Sequence, residues 1–347
     1  MQYLSKKAAS LTPYVAGLQP QEPGWVKLNT NENPYPPSPR VAEVLARADA
    51  ARLRLYPDSD STLLCNVLAD RLNVPAENVF VGNGSDEVLG FAFGAFFGGK
   101  HGVMMPDISY GFYPVWAALF DVGVDVRPLS ADFTINPDAY KDAAGVVIAN
   151  PNAPTGVALT LAEIERIVQQ NPGGVVLVDE AYLDFSDLEC AVSLVPQYDN
   201  LLVVRTFSKS HSLAGLRVGY AVGHADLIDG LQRMKHSFNS YPLDMLAQLG
   251  AAASMADADY WEETRRRIIA TRERTAEALR TLGYTVLPSQ ANFLFVRASD
   301  AKGLYEHLLA HKVLVRYWDK PRIRDFLRVT IGTDEEMEAF LQCVKQF

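Results

Sequence analysis

No stretch of the 347 residues approaches the roughly 20 consecutive apolar residues that a membrane span needs. The opening MQYLSKKAASLTPY also lacks the long apolar centre of a secretory signal. Cysteine is scarce: Cys65, Cys190 and Cys343 are far apart and odd in number, which implies neither a disulfide framework nor a spaced metal motif. Positive charge is in deficit, with 32 Lys and Arg against 41 Asp and Glu and a net charge of -9. That balance argues against nucleic acid or an anionic membrane as the main partner, while leaving room for a local basic pocket. Internal repeats and low-complexity segments are missing as well. The expectation is a soluble protein of a reducing cytoplasm. Its length, at roughly 150 residues per domain, suits about two domains.

What is present is a chain that changes character along its length. Asn29 to Pro39 carries four prolines in its last six residues, which predicts an extended arm. Helical patterns follow at Arg40–Leu53 and Ser61–Leu72, the second capped by Ser61 or Thr62. Short apolar runs then alternate with amphipathic stretches. The runs at 79–82, 102–106, 145–151, 174–182, 201–207 and 216–222 lack polar alternation, as strands buried on both faces do. Helices are predicted between them at Ser85–Phe97, Tyr110–Phe120 and Leu161–Gln170. This order predicts an α/β fold with a mostly parallel sheet, whose ligand sits at the carboxyl ends of the strands. Beyond about Met245 come a charged helix (Asp257–Leu282), strands near 291–296, 313–318 and 326–332, and helices at 300–311 and from Asp334. The expected organisation is an N-terminal arm (1–39) joining a smaller α+β domain (246–347), with a large domain at 40–245.

Four motifs fall at predicted strand ends. In TFSKSHSLAGLRVG (206–219), Lys209 lies just past a buried strand between Ser208 and Ser210, with Arg217 following. A lysine in a confined pocket loses its proton more easily and attacks aldehydes, while hydroxyls and a guanidinium suit a phosphate. A lone loop lysine is ordinarily just solvated; here its company argues otherwise. In VVLVDEAY (175–182), Asp179 ends an apolar strand, where an unpaired carboxylate is costly unless a cationic ring meets it. Tyr182 follows three residues later. GNGSDE (82–87) is a glycine-rich turn opening a helix and aims backbone N–H groups at an anion, with Ser85 and Asp86 as contacts. It is not a dinucleotide fingerprint, because Glu87 stands where the third glycine belongs. NPNAPTG (150–156) is explained by turn chemistry alone and gains weight only from the other three.

Taken in this order, the motifs resemble a fold-type I pyridoxal-phosphate aminotransferase of class I/II, closest to the histidinol-phosphate aminotransferases. The likeness extends from LNTNENP (28–34) and YPD (56–58) to VRYWDKPRI (315–323) and LRVTIGT (327–333). The resemblance implies pyridoxal 5'-phosphate as cofactor, joined as an imine to Lys209, which also moves the substrate proton. It implies Asp179 at the ring nitrogen, Tyr182 at the ring oxygen and Tyr110 stacked on the ring. Ser85, Asp86, Ser208 and Arg217 would hold the cofactor phosphate, joined by Tyr56 from the partner subunit of a homodimer. Arg328 would take the glutamate carboxylate and, with Arg316 and Tyr14, the phosphate of a phosphorylated amino alcohol. One position departs from the pattern: Ala153 stands where many relatives carry an asparagine that contacts the ring oxygen, and Asn152 is expected in its place.

The implied reaction exchanges an amino group between L-histidinol phosphate and 2-oxoglutarate, in histidine biosynthesis. A threonine-phosphate decarboxylase-like lyase and an aromatic amino acid aminotransferase are the alternatives. A non-catalytic regulator on the same fold would need an added DNA-binding domain. No metal is expected: His307 and His311, after Glu306, lack the H-E-x-x-H pattern. Arg265–Arg267 is expected on a solvated face, Trp116 in the core, and Ser208, Ser210 and His211 without a hydrolase elbow. Borohydride reduction of the yellow holoprotein should fix the cofactor on the peptide that contains Lys209. Label recovered on any other lysine ends that assignment.

Overall fold

The computed structural model describes residues 3–98 and 102–347. An extended arm carrying the short strand β1 (Val26–Lys27) leads into a central sheet. Its strands are β2 (Val79–Asn83), β3 (Gly102–Pro106), β4 (Gly123–Arg127), β5 (Gly145–Ala149), β6 (Val175–Asp179), β7 (Leu201–Thr206) and β8 (Val218–Gly223). The seven strands lie in the order β2-β8-β7-β6-β5-β3-β4, and only β8 runs against its neighbours. The α/β class and the mostly parallel sheet are as the sequence predicts.

Both faces of this sheet are covered, which is why its strands read as unbroken apolar runs. Val146, Ile148, Val176 and Val178 pack into one core, while Val147, Ala149 and Leu177 between them pack into the other. Each such side chain stabilises the fold by roughly 1.5–3 kcal/mol relative to exposure. Strand β4 escaped sequence reading because its residues are mostly exposed at the sheet edge, so GVDVR offers no apolar run. Helices at Ala225–Phe238 and Met245–Met255 also went unread. The expected Arg40–Leu53 helix splits into Pro39–Ala46 and a 3-10 turn at Ala50–Arg54. The Thr62–Leu72 helix is capped neither by Ser61 nor by Thr62: Ser61 is left-handed, with φ 50°, and the Thr62 N–H instead donates to Asp58 Oδ2 at 2.8 Å.

The C-terminal part adds β9 (Thr285–Val286), β10 (Phe293–Arg297), β11 (Val313–Leu314), β12 (Arg316–Tyr317) and β13 (Phe326–Thr330). Four of these form an antiparallel sheet, β12-β13-β10-β9, around a third core with the helices Ala258–Thr281, Ala301–Ala310 and Asp334–Lys345. The arm strand β1 pairs in parallel with β11. No helix among the described residues is long and apolar enough to cross a membrane.

The Ala258–Thr281 helix corrects the solvated-arginine expectation. Arg266 is exposed and pairs with Glu262 as expected, but Arg265 is largely buried and donates to the backbone oxygens of Asp184 and Ser186. Arg267 lies 4.0 Å over the Tyr35 ring. One turn on, buried Arg272 donates to Phe185 O at 2.8 Å and Ala291 O at 2.9 Å, joining two chain segments. Arg272→Met should leave both carbonyls unpaired and cost about 2–5 kcal/mol in urea unfolding, with an unchanged m-value. A midpoint equal to wild type would remove Arg272 from the fold's supports.

Candidate active site

The carboxyl ends of the parallel strands, the arm and the Arg316–Arg328 region enclose a cavity of about 640 Å³. Asp179, the last residue of β6, is buried at its wall. Its Oδ2 accepts from the Tyr113 hydroxyl at 2.8 Å and its Oδ1 from the Ala181 N–H at 3.1 Å. Burial pushes its pKa up to about 6, against the pull of these two donors. An acid so placed suits a ligand group that brings a proton to it.

Lys209, on the turn after β7, lines the same cavity, and its Nζ donates to Thr30 O at 3.0 Å. Burial, followed by the charge of Arg328, lowers its pKa from 10.5 to about 8. The Nζ lies 5.8 Å from the centre of the Tyr182 ring. Tyr182 meets Phe293 edge-on, and its hydroxyl accepts from Asn31 Nδ2 at 3.0 Å.

An anion cradle occupies one end. The Gly84–Ala92 helix opens directly after β2 and leaves its first N–H groups free to face the cavity. Strand β8 passes so close beneath that a Cβ on Gly219 would lie 2.2 Å from Ser85 N. Arg217, in the left-handed region at φ 55°, reaches over Gly84, where a Cβ would lie 2.5 Å from its Nη2. Its Nη1 points at Ser208 Oγ, 3.5 Å away, and its Nη2 at Asp86 Oδ2, 3.2 Å away. Asp86 also accepts from the Tyr110 hydroxyl at 2.8 Å. Its carboxylate therefore orients Arg217 and Tyr110, and any anion contact falls to its backbone N–H.

The other end is built from β12 and β13. Arg328 lies between the rings of Phe293 and Trp318, 5.4 and 5.3 Å from their centres, and its Nη2 donates to Asn29 O at 2.7 Å. Its Nε is buried without a partner, and burial lowers its pKa. A carboxylate or phosphate would satisfy that orphan. Arg316 stands over Trp318 and donates to Val15 O at 3.3 Å, while Tyr14 stacks on Phe112 at 4.8 Å.

Two expected residues lie outside this cavity. Asn152 does not replace the asparagine missing at Ala153, because its side chain is spent tying its own turn to the Ile108–Ser109 segment. Its Nδ2 donates to Ile108 O at 3.0 Å and Thr155 Oγ1 at 3.1 Å, and its Oδ1 accepts from Ser109 Oγ at 2.8 Å. Tyr56 is exposed and stacks on Tyr241, with ring centres 4.6 Å apart. Sequence reading missed Tyr113 and the arm residues Thr30, Asn31 and Asn33, the last of which donates to Lys209 O at 3.0 Å. Tyr113, one helical turn past Tyr110, carried no signal of its own. The arm's three asparagines within five residues (29–33) were a usable one.

A pyridoxal phosphate suits these residues: an anion cradle walled by Gly84 and Gly219, a buried acid whose pKa is raised, and a buried amine whose pKa is lowered, all on one cavity. The family model for aminotransferase class I and II matches residues 23–344. A histidinol-phosphate aminotransferase of Marinomonas sp. is 51% identical over 349 residues, covering 99% of each chain. Histidinol-phosphate aminotransferase 1 of Bordetella parapertussis is 51% identical over 352 residues, covering 99% of this chain and 98% of its own. In fold, the chain is similar to the histidinol-phosphate aminotransferase from Sinorhizobium meliloti solved in complex with pyridoxal-5'-phosphate. The TM-score is 0.89 at 22% identity, over 100% of this chain and 98% of that one.

In cofactor-free protein, amine-selective labelling of Lys209 should rise with pH about a midpoint near 8, the charged form dominating below and the nucleophile above. At that pH its neutral fraction is roughly a hundredfold that of an ordinary lysine. A midpoint above 10 would mean that the pocket does not tune this amine.

Proposed function

The chain belongs to the class I and II aminotransferase family, and from that premise we propose that it transfers the amino group between L-histidinol phosphate and 2-oxoglutarate. The products are imidazole acetol phosphate and glutamate, and the cofactor is pyridoxal 5'-phosphate. The observation that carries this reading is a single cavity with Lys209 between two separate cationic ends, one at Arg217 and one at Arg316 and Arg328. One end suits a phosphorylated cofactor. The other suits substrates that carry either a carboxylate or a phosphate, as the two half-reactions require.

When bound, the cofactor supplies an aldehyde for imine exchange and a cationic ring that accepts the electron pair released at the substrate Cα. Arg217, Ser85, Ser208 and the helix N-terminus hold its phosphate. Asp179 would hold the ring nitrogen, with its carboxylate's direction fixed by the Tyr113 hydroxyl. Tyr110 covers one ring face. Asn31 aims the Tyr182 hydroxyl at the ring oxygen, the contact that Ala153 cannot make. Arg328 takes the carboxylate of glutamate, and with Arg316 and Tyr14 the phosphate of histidinol phosphate. Lys209 Nζ would be the group that takes up and carries the substrate's Cα proton.

The working form is a cytoplasmic homodimer. Leu53, Leu55, Tyr56, Leu63, Phe238 and Tyr241 are exposed apolar side chains on two neighbouring segments, which a second copy would cover. Tyr56 would then face the partner's cofactor phosphate.

Mixing holoenzyme with L-histidinol phosphate should convert the cofactor to its amine form, and 2-oxoglutarate should restore the aldehyde form with release of glutamate. Arg328→Met should raise KM for both substrates by ~10- to 100-fold, as loss of a charged hydrogen-bond pair does. Carbon dioxide release without amino transfer would replace this reading with that of a lyase.

A further inference from the structure

Far along the chain from the cavity's motifs, His307, His311 and Cys343 each bring a ligand atom within 4.8 Å of the others. The two histidines sit one turn apart, on the helix Ala301–Ala310 and at its cap, with ring centres 4.4 Å apart. Cys343 comes from the terminal helix Asp334–Lys345, so no local spacing in the sequence announces the third group.

The hydrogen bonds fix which nitrogens are available. His307 Nε2 lies 3.1 Å from Cys343 O, and His311 Nδ1 lies 2.8 Å from His307 O. A carbonyl oxygen only accepts, so in the neutral rings these nitrogens carry the protons. The lone pairs are left on His307 Nδ1 and His311 Nε2. A backbone carbonyl holding the far nitrogen is the support that metal-bound imidazoles ordinarily have. Cys343 is 6% exposed and is a free thiol, while His311 is exposed, so the cluster opens to solvent on one side. Carbonyl capping accounts for the two ring orientations, and beside them the Cys343 sulfur lies within 4.8 Å of a nitrogen of each ring.

We propose that His307, His311 and Cys343 bind one borderline-soft divalent ion, of which Zn²⁺ is representative, with water in the fourth position. Two imidazoles and a thiolate select this class over Mg²⁺ or Ca²⁺, which need oxygen ligands. Metal–ligand bonds of about 2.0–2.3 Å require the three atoms to draw together by roughly an ångström. As the sulfur–metal bond forms, the Cys343 thiol gives its proton to solvent, with no change of oxidation state. The ion ties the terminal helix to the one beside it and stabilises the folded form.

The test uses holoenzyme stripped of adventitious metal by a brief chelator treatment, titrated with Co²⁺ and then Zn²⁺. One Co²⁺ per chain should bind with the red-visible bands of a distorted tetrahedral site, away from the cofactor's absorption. One Zn²⁺ should displace it, release one proton and raise the Tm. His311→Gln and Cys343→Ser should each weaken binding by roughly tenfold or more, leaving transamination and the cofactor spectrum as in wild type. His311→Gln changes an exposed position and carries the test even if Cys343→Ser unfolds. Undiminished Co²⁺ binding in His311→Gln, or no tetrahedral Co²⁺ signal in wild type, overturns the proposal.

Discussion

The structure turns on a carboxylate that has no apolar excuse for its position. Asp179 ends a strand packed on both faces, and a charge there is unfavourable by several kcal/mol unless its lone pairs are met. Tyr113 and the Ala181 N–H meet two of them, and the remaining demand is for a proton. The cavity wall therefore carries a standing preference for a protonated ring. Sheet, helix and loop frame the space in front of it: β5 and β6 fix the acid, β7 carries the lysine to the same edge, and β8 packs beneath the Gly84–Ala92 helix N-terminus at the same cavity.

Behind that wall lies a second buried charge set. Arg205 on β7 pairs with Asp184, which also accepts from Ser210, beside Lys209. Glu180, the residue after Asp179, faces the same arginine and accepts the Ala191 N–H at 2.7 Å. Successive residues on one strand end thus face opposite ways, one toward the ligand and one toward the support. Burial lowers His211 to about pKa 4, so that ring stays neutral and adds no charge to this set.

Much of this was legible because it follows from local rules. Strands buried on both faces betray themselves as apolar runs, and glycine-rich strand-to-helix turns as anion cradles. The placing of Asp179 and Lys209 at one edge follows from the rule that parallel strands gather their carboxyl ends, whereas Arg217 enters ahead of the antiparallel β8 and Arg328 from the second sheet. What stayed hidden depends on pairs far apart in sequence. Tyr113 joins Asp179 across 66 residues, Asn31 joins Tyr182 across 151, and Cys343 joins His307 across 36. The expectation for Asn152 failed for a different reason. It weighed adjacency in sequence, whereas Ile108 and Ser109, over forty residues earlier in the chain, engage that side chain together with Thr155.

The arm reaches the cavity partly through its backbone. Asn29 O takes Arg328 and Thr30 O takes Lys209, while only Asn31 and Asn33 use their side chains. Carbonyl oxygens are the same in every residue, so positions 29 and 30 tolerate drift in identity as far as these contacts go. What they cannot absorb is a change of phase. A residue inserted or deleted just ahead of Asn29 would slide each oxygen past its cation and turn Asn31 away from Tyr182. The length of this stretch therefore fixes the contacts at 29 and 30 more strictly than the side chains there do.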